Sequence, residues 1–161
     1  MAGRRGTQKR GAEKREAPKL VLVLNGPNLN LLGTREPDIY GSDTLDDIAA
    51  MLHERAAALD LAVDVRQSNH EGHLIDWLHE AQTENAHAVL LNAGAYTHTS
   101  IALYDAIKAI RTPVIEVHLS NPHTREAFRH RSYVGMAAQA TIAGLGARSY
   151  IAALEAAAAL S

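Results

Sequence analysis

The run KLVLVLNGPN at residues 19–28 decides how this chain reads. Residues 20–24 are all Leu or Val, with no polar residue on either side of the alternation, which suits a strand buried on both faces. The run stops abruptly at Asn25-Gly26-Pro27-Asn28, residues that end regular structure and turn the chain. Four further short apolar runs follow, at residues 62–67, 88–92, 113–118 and 140–143. The stretches between them have helical spacing. Leu45, Ile48, Ala49, Leu52, Ala56 and Leu59 fall on one face behind a Thr44-x-x-Asp47 capping box. Leu74, Trp77, Leu78 and Ala81 repeat the spacing, Ile101, Tyr104, Ile107 and Ile110 mark a third helix, and residues 148–160 a last one. Strands alternating with helices, joined by right-handed crossovers, predict a flavodoxin-like, doubly wound, five-stranded parallel sheet in three layers (α/β/α).

Outside that pattern lies the N-terminus. Residues 1–19 carry seven basic and two acidic side chains, net +5, and the other 142 residues are net −7. Residues 1–18 lack apolar periodicity and read as a disordered basic tail, leaving 19–161 as one catalytic-size domain. No aromatic residue is interleaved in the tail to stack on bases, and the folded part is acidic, so a nucleic-acid partner is not expected. The apolar run at 20–24 is too short for a signal-peptide core or a membrane span. The chain has no cysteine, which removes disulfides, thiolate metal sites and a cysteine nucleophile, and fits a reducing cytoplasm.

The fold says where chemistry would sit. In an open α/β sheet, ligands bind outside the carboxyl ends of the strands near the switch point. Three strand ends are unusually polar: Asn25-Gly26-Pro27-Asn28, Asn92-Ala93-Gly94, and His118-Leu119-Ser120-Asn121. Asn, Gly and Pro form turns anywhere, but with strand order 2-1-3-4-5 these ends are neighbours, and Asn28, Asn92 and His118 converge. Residues 28–43 show no periodicity and make a long connection of the kind that serves as a lid; it carries Arg35 and Tyr40, and a tyrosine there also serves as a hydrophobic clasp. Arg125 and Arg129, four apart, predict one face of a short helix aimed at an anion, or a surface pair with Glu126. Thr97-His98-Thr99-Ser100 stands where a helix N-terminus would take an anion or a simple cap.

Taken together, these residues resemble the type II 3-dehydroquinate dehydratases (type II dehydroquinases). The likeness rests on LNGPNLNLLG (24–33), Arg35-Glu36-Pro37 with Tyr40-Gly41, QSNHEG (67–72), NAGAYTHTS (92–100), EVHLSN (116–121), Arg125-Glu126-x-Phe128-Arg129 and Gly144-Leu145-Gly146, in order from residue 20 to about 155. The resemblance implies anti elimination of water from 3-dehydroquinate to give 3-dehydroshikimate in the shikimate pathway, or the same reaction in quinate breakdown, with no metal or cofactor. It implies Tyr40 as the base for the C2 proton, His118 as the acid for the C1 hydroxyl, Arg35 as transition-state stabiliser and Asn28 as holder of a water at the enolate oxygen. Asn92, His98, Leu119, Ser120 and Arg129 are implied to bind the substrate, Arg125 to stand near Tyr40, and Asp105 to act across a trimer interface, four trimers making a homododecamer. Arg131 stands where histidine is more usual, Ser149 where glycine is common, and the basic tail is an addition.

Elementary electrostatics agrees with the tyrosine role. A tyrosine with a reference pKa of about 10 needs about 4 kcal/mol to act as a base near neutrality. One cation at about 4.5 Å and an effective dielectric near 20 supplies about 3–4 kcal/mol before desolvation, so Arg35 and Arg125 suffice only together. A lysine imine is disfavoured, because Lys108 is the only lysine after Lys19 and lies near a helix end. Rival readings are weaker. Gly144-Leu145-Gly146-Ala147-Arg148-Ser149 has two of the three glycines of a flavin or nucleotide fingerprint and no following strand. Nine histidines include His70-x-x-His73 and the pair His118 and His123, but no His-Glu-x-x-His. A non-catalytic scaffold or carbohydrate-binding module is a further rival, which any turnover of dehydroquinate would remove.

Overall fold

The computed structural model describes residues 16–161. The tail reading of 1–18 therefore lies outside the described residues up to residue 15, and residues 16–18 are exposed and irregular. All five expected strands form: β1 (Lys19–Asn25), β2 (Leu61–Gln67), β3 (Ala88–Asn92), β4 (Val114–His118) and β5 (Ala140–Ala143). They pair in parallel in the order β2-β1-β3-β4-β5. The helices are α1 (Pro37–Tyr40), α2 (Leu45–Ala58), α3 (Glu71–Thr83), α4 (Ile101–Ala109), α5 (Tyr133–Ala137) and α6 (Arg148–Ala158).

The alternation of β1 builds the two cores directly. Val21 and Val23 face α2 and α6, packing with Ile48, Leu52, Tyr150 and Leu154. Leu22 and Leu24 face the other layer, with Leu74 and Leu78 of α3, Leu103 of α4 and Val134 of α5. All four β1 side chains are fully buried, each favoured by about 1.5–3 kcal/mol over exposure. The Thr44–Asp47 capping box forms as expected, each side chain accepting from the other residue's backbone N–H. No described helix is long and apolar enough to cross a membrane.

The structure differs from the sequence reading at four places. The 28–43 connection is not structureless: it contains a 3-10 turn at Leu29–Leu31 and helix α1. Residues 125 and 129 do not share a helix, because the chain runs through two separate 3-10 turns, Pro122–Thr124 and Ala127–Arg129; Pro122 opens the first, and Arg125 is extended after it. Helix α4 buries Leu103, Ala106 and Ile107, and leaves Ile101 58% exposed. Ser100 caps that helix by accepting from the N–H of Leu103, which puts Ile101 at the first position facing outward. The last helix ends at Ala158.

Candidate active site

The register brings Asn25 beside Asn92 at the carboxyl ends of β1 and β3. Here the two strands turn in close contact: a Cβ on Gly26 would lie 2.3 Å from the carbonyl oxygen of Ala93, so only glycine fits. Beneath the turn, the Tyr150 hydroxyl donates to Asn25 Oδ1 at 2.6 Å and accepts from Asn92 Nδ2 at 2.8 Å. Complete burial without a cation pushes the Tyr150 phenol well above its usual range, so it stays a donor. Asn92 is thereby locked from below, with Oδ1 accepting from the N–H of Gly94 at 3.3 Å.

Above these ends opens a cleft lined by both polar and apolar side chains. Ten of the eleven sequence candidates line it: Asn28, Arg35, Tyr40, Asn92, His98, His118, Leu119, Ser120, Arg125 and Arg129. Asp105 does not. It sits on the exposed side of α4, away from the cleft of its own chain.

Tyr40 ends α1 and lies between two cations. The guanidinium carbons of Arg35 and Arg125 are 5.5 and 5.1 Å from its ring centroid. The Arg125 side chain is 14% exposed and that of Arg35 41%, so solvent screens Arg125 less. Arg125 also reaches Ser120 Oγ at 3.4 Å. Arg129 lines the cleft while its Nε bonds Glu126 at 2.8 Å, so the surface pair and the cleft position coexist. The backbone N–H and Arg129 together hold the Glu126 carboxyl below the usual carboxylate range.

His118 ends β4, 8% exposed, with Nε2 3.2 Å from Glu116 Oε2. Glu116 is 2% exposed and also accepts from the hydroxyls of Ser132 and Thr141. Burial opposes its charge, but the hydrogen bond and charge of His118 and the two hydroxyls outweigh that and hold its carboxyl below the usual range. Burial, aided by the charges of His118 and Arg129, pushes the neighbouring His98 imidazole below its ordinary value despite the hydrogen bond to the Arg131 carbonyl. That carbonyl can only accept, at 2.7 Å from Nδ1, so Nδ1 carries the proton and Nε2 of neutral His98 is an acceptor. The rings of His98 and His118 are stacked, centroids 6.4 Å apart.

Sequence reasoning passed over Glu116, Tyr150 and the Gln67–Asn69 segment as individual actors. A carboxylate two residues before a candidate histidine points to the same face of a strand, and that period-two spacing was the available signal for Glu116. Tyr150 looked like an ordinary helix position, and nothing in its spacing shows that its hydroxyl reaches two strand ends. The unusual Arg131 offers its backbone carbonyl to His98, and its side chain turns to the Tyr133 hydroxyl at 3.3 Å. Ser149 is buried and accepts from the N–H of Leu145 at 2.9 Å, which gives this substituent a use. Lys108 is exposed in the last turn of α4 and does not line the cleft. Among the described residues, no group of three His, Asp or Glu side chains is arranged to hold a metal ion.

Comparison with known proteins places this geometry. The family model for dehydroquinase class II matches residues 19–158. A 3-dehydroquinate dehydratase of Rhizobium meliloti (strain 1021) is 59% identical over 139 residues, covering 86% of this chain and 93% of that protein. One from Variovorax paradoxus (strain S110) is 56% identical over 142 residues, covering 86% and 97%. The crystal structure of a type II dehydroquinase from Propionibacterium acnes superposes with a TM-score of 0.84 at 47% identity, covering 87% of this chain and 96% of that one. With the matched segment spanning every strand and the whole cleft, the chain belongs to the class II dehydroquinase family.

Proposed function

We propose that this protein is a type II 3-dehydroquinate dehydratase of the shikimate pathway, working by general base and general acid catalysis on an unactivated ketone. The observation that carries this reading is the position of Tyr40 between Arg35 and Arg125 on the same cleft as the Glu116–His118 pair. Two guanidiniums beside one tyrosine ring set positive charge next to the candidate base. The phenolate takes the C2 proton, and the electron pair of that C–H bond moves into the ketone as an enolate. A water held by Asn28 donates to the enolate oxygen, and Arg35 balances the developing charge. The pair then returns, forming the C1–C2 double bond while the C1–O bond breaks. His118, held by Glu116, protonates the departing hydroxyl so that it leaves as water. Asn92, the Leu119–Ser120 turn and Arg129 bind the carboxylate and hydroxyls, and the Nε2 acceptor of His98 suits a substrate hydroxyl.

The test is direct. Purified protein given 3-dehydroquinate is expected to generate the ultraviolet absorbance of a conjugated enone acid, at a rate unchanged by borohydride. No absorbance would overturn the activity, and loss of activity with borohydride would replace the enolate by an imine.

The assembly belongs to the same reading. On the outer face of α4, Asp105 follows the exposed Ile101 by one turn, and Met136 of the adjoining α5 is 58% exposed. That face suits burial against a second copy that would receive Asp105 at its cleft, giving trimers and a dodecamer of four. Light scattering is expected to give a mass of twelve chains or at least three, with Asp105→Ala losing turnover. A fully active monomer would contradict it.

A further inference from the structure

Asn28 has a left-handed backbone, φ 67° and ψ −1°, at the mouth of the cleft. L-residues adopt that conformation at a cost, asparagine less than most, so something must hold it. The hold comes from the end of β2, 41 residues along the chain. Asn69 Oδ1 accepts from the backbone N–H of Asn28 at 3.0 Å. The same oxygen accepts from Gln67 Nε2 at 3.0 Å, and Gln67 Nε2 also donates to the carbonyl of Gly26 at 3.1 Å. Asn69 is fixed in turn by its own backbone carbonyl, which accepts from the Tyr96 hydroxyl at 2.7 Å. The N–H of Ser68 bonds the carbonyl of Asn25 at 3.0 Å, tying the two strand ends together. Asn69 does not line the cleft, so it reaches the chemistry only through Asn28.

We propose that Asn69 is a positioning residue: its amide oxygen, aimed by Gln67 and Tyr96, fixes the left-handed turn that presents the Asn28 side chain to the enolate. The inference rests on the role given to Asn28 above. Without the acceptor, the Asn28 N–H turns to water and the peptide is free to leave the left-handed region, so the side chain samples positions off the reacting oxygen. Ground-state binding, made by residues on β3 and beyond β4, is left in place. Turnover should therefore fall while KM holds.

Steady-state kinetics on the full chain with 3-dehydroquinate tests this through Asn28→Ala, Asn69→Ala, Asn69→Asp and the double variant Asn28→Ala/Asn69→Ala. Asn69→Ala is expected to lower kcat about ten- to a hundredfold with KM within about threefold of wild type. Asn69→Asp keeps the acceptor oxygen and is expected to restore kcat to within about threefold. The double variant is expected to match Asn28→Ala alone, since the two residues act as one unit. Should Asn69→Ala not fold, Asn69→Gln, whose longer side chain misplaces the oxygen, is expected to show the same loss. The inference is overturned if Asn28→Ala is slow while Asn69→Ala keeps wild-type kcat, if the two losses multiply, or if Asn69→Asp is no better than Asn69→Ala. Wild-type turnover in Asn28→Ala would overturn the Asn28 assignment itself, and the positioning role with it.

Discussion

Tyr40→Phe is expected to lower kcat by about 10²–10⁴, the range that a positioned general base contributes, with little change in KM. The substitution removes one oxygen and nothing else. The ring remains between the Arg35 and Arg125 guanidiniums, and among the described residues no protein group is hydrogen-bonded to the Tyr40 hydroxyl, so the lid loses no contact. If Tyr40 were only a hydrophobic clasp, phenylalanine would serve as well. Steady-state assay beside a thermal melt separates the two: lost turnover at unchanged Tm supports the base, and near-normal turnover refutes it.

The second large effect is expected at His118. His118→Asn should also lower kcat by about 10²–10⁴, because an amide cannot release a proton to the leaving hydroxyl. Asparagine is the informative replacement. Glu116 is buried and ionised, and removing every donor at residue 118 would leave its charge short of one partner. The asparagine amide ends short of the Nε2 position, but the Ser132 and Thr141 hydroxyls keep their bonds to Glu116 and hold its charge. The fold is therefore expected to survive, by circular dichroism and melting. Retained turnover would remove His118 from the acid role.

The sheet was legible in the sequence because its inner strands β1, β3 and β4 are buried along most of their length and show as Val/Leu/Ile-rich runs, while the edge strands β2 and β5 are partly exposed and more mixed, and strand order then follows from few allowed crossovers. The cleft residues were legible because three polar turns interrupt that pattern at the same end of the sheet. What was hidden depends on contacts between distant residues. The left-handed backbones at Asp60 and Asn85, which close α2 and α3, look like any polar residue in a turn. The split of residues 122–129 into two 3-10 turns overrides the helical spacing of Arg125 and Arg129, yet both guanidiniums still reach the cleft. Ile101 carries the right spacing for the core but faces outward, since periodicity alone cannot tell a core stripe from an outward apolar position. Asp105 lies on that same face, where no single-chain geometry shows its use.

The central claim is that Tyr40 takes the C2 proton in a step separate from the departure of the hydroxyl. Proton NMR of 3-dehydroquinate in D2O, with each variant in turn, tests it most directly. With His118→Asn, the enolate should form and return, so one C2 proton is expected to exchange with solvent faster than in buffer while little product accumulates. With Tyr40→Phe, neither exchange above buffer nor product is expected. Exchange at the His118→Asn rate in Tyr40→Phe would contradict the account, because some other group would then be removing the proton.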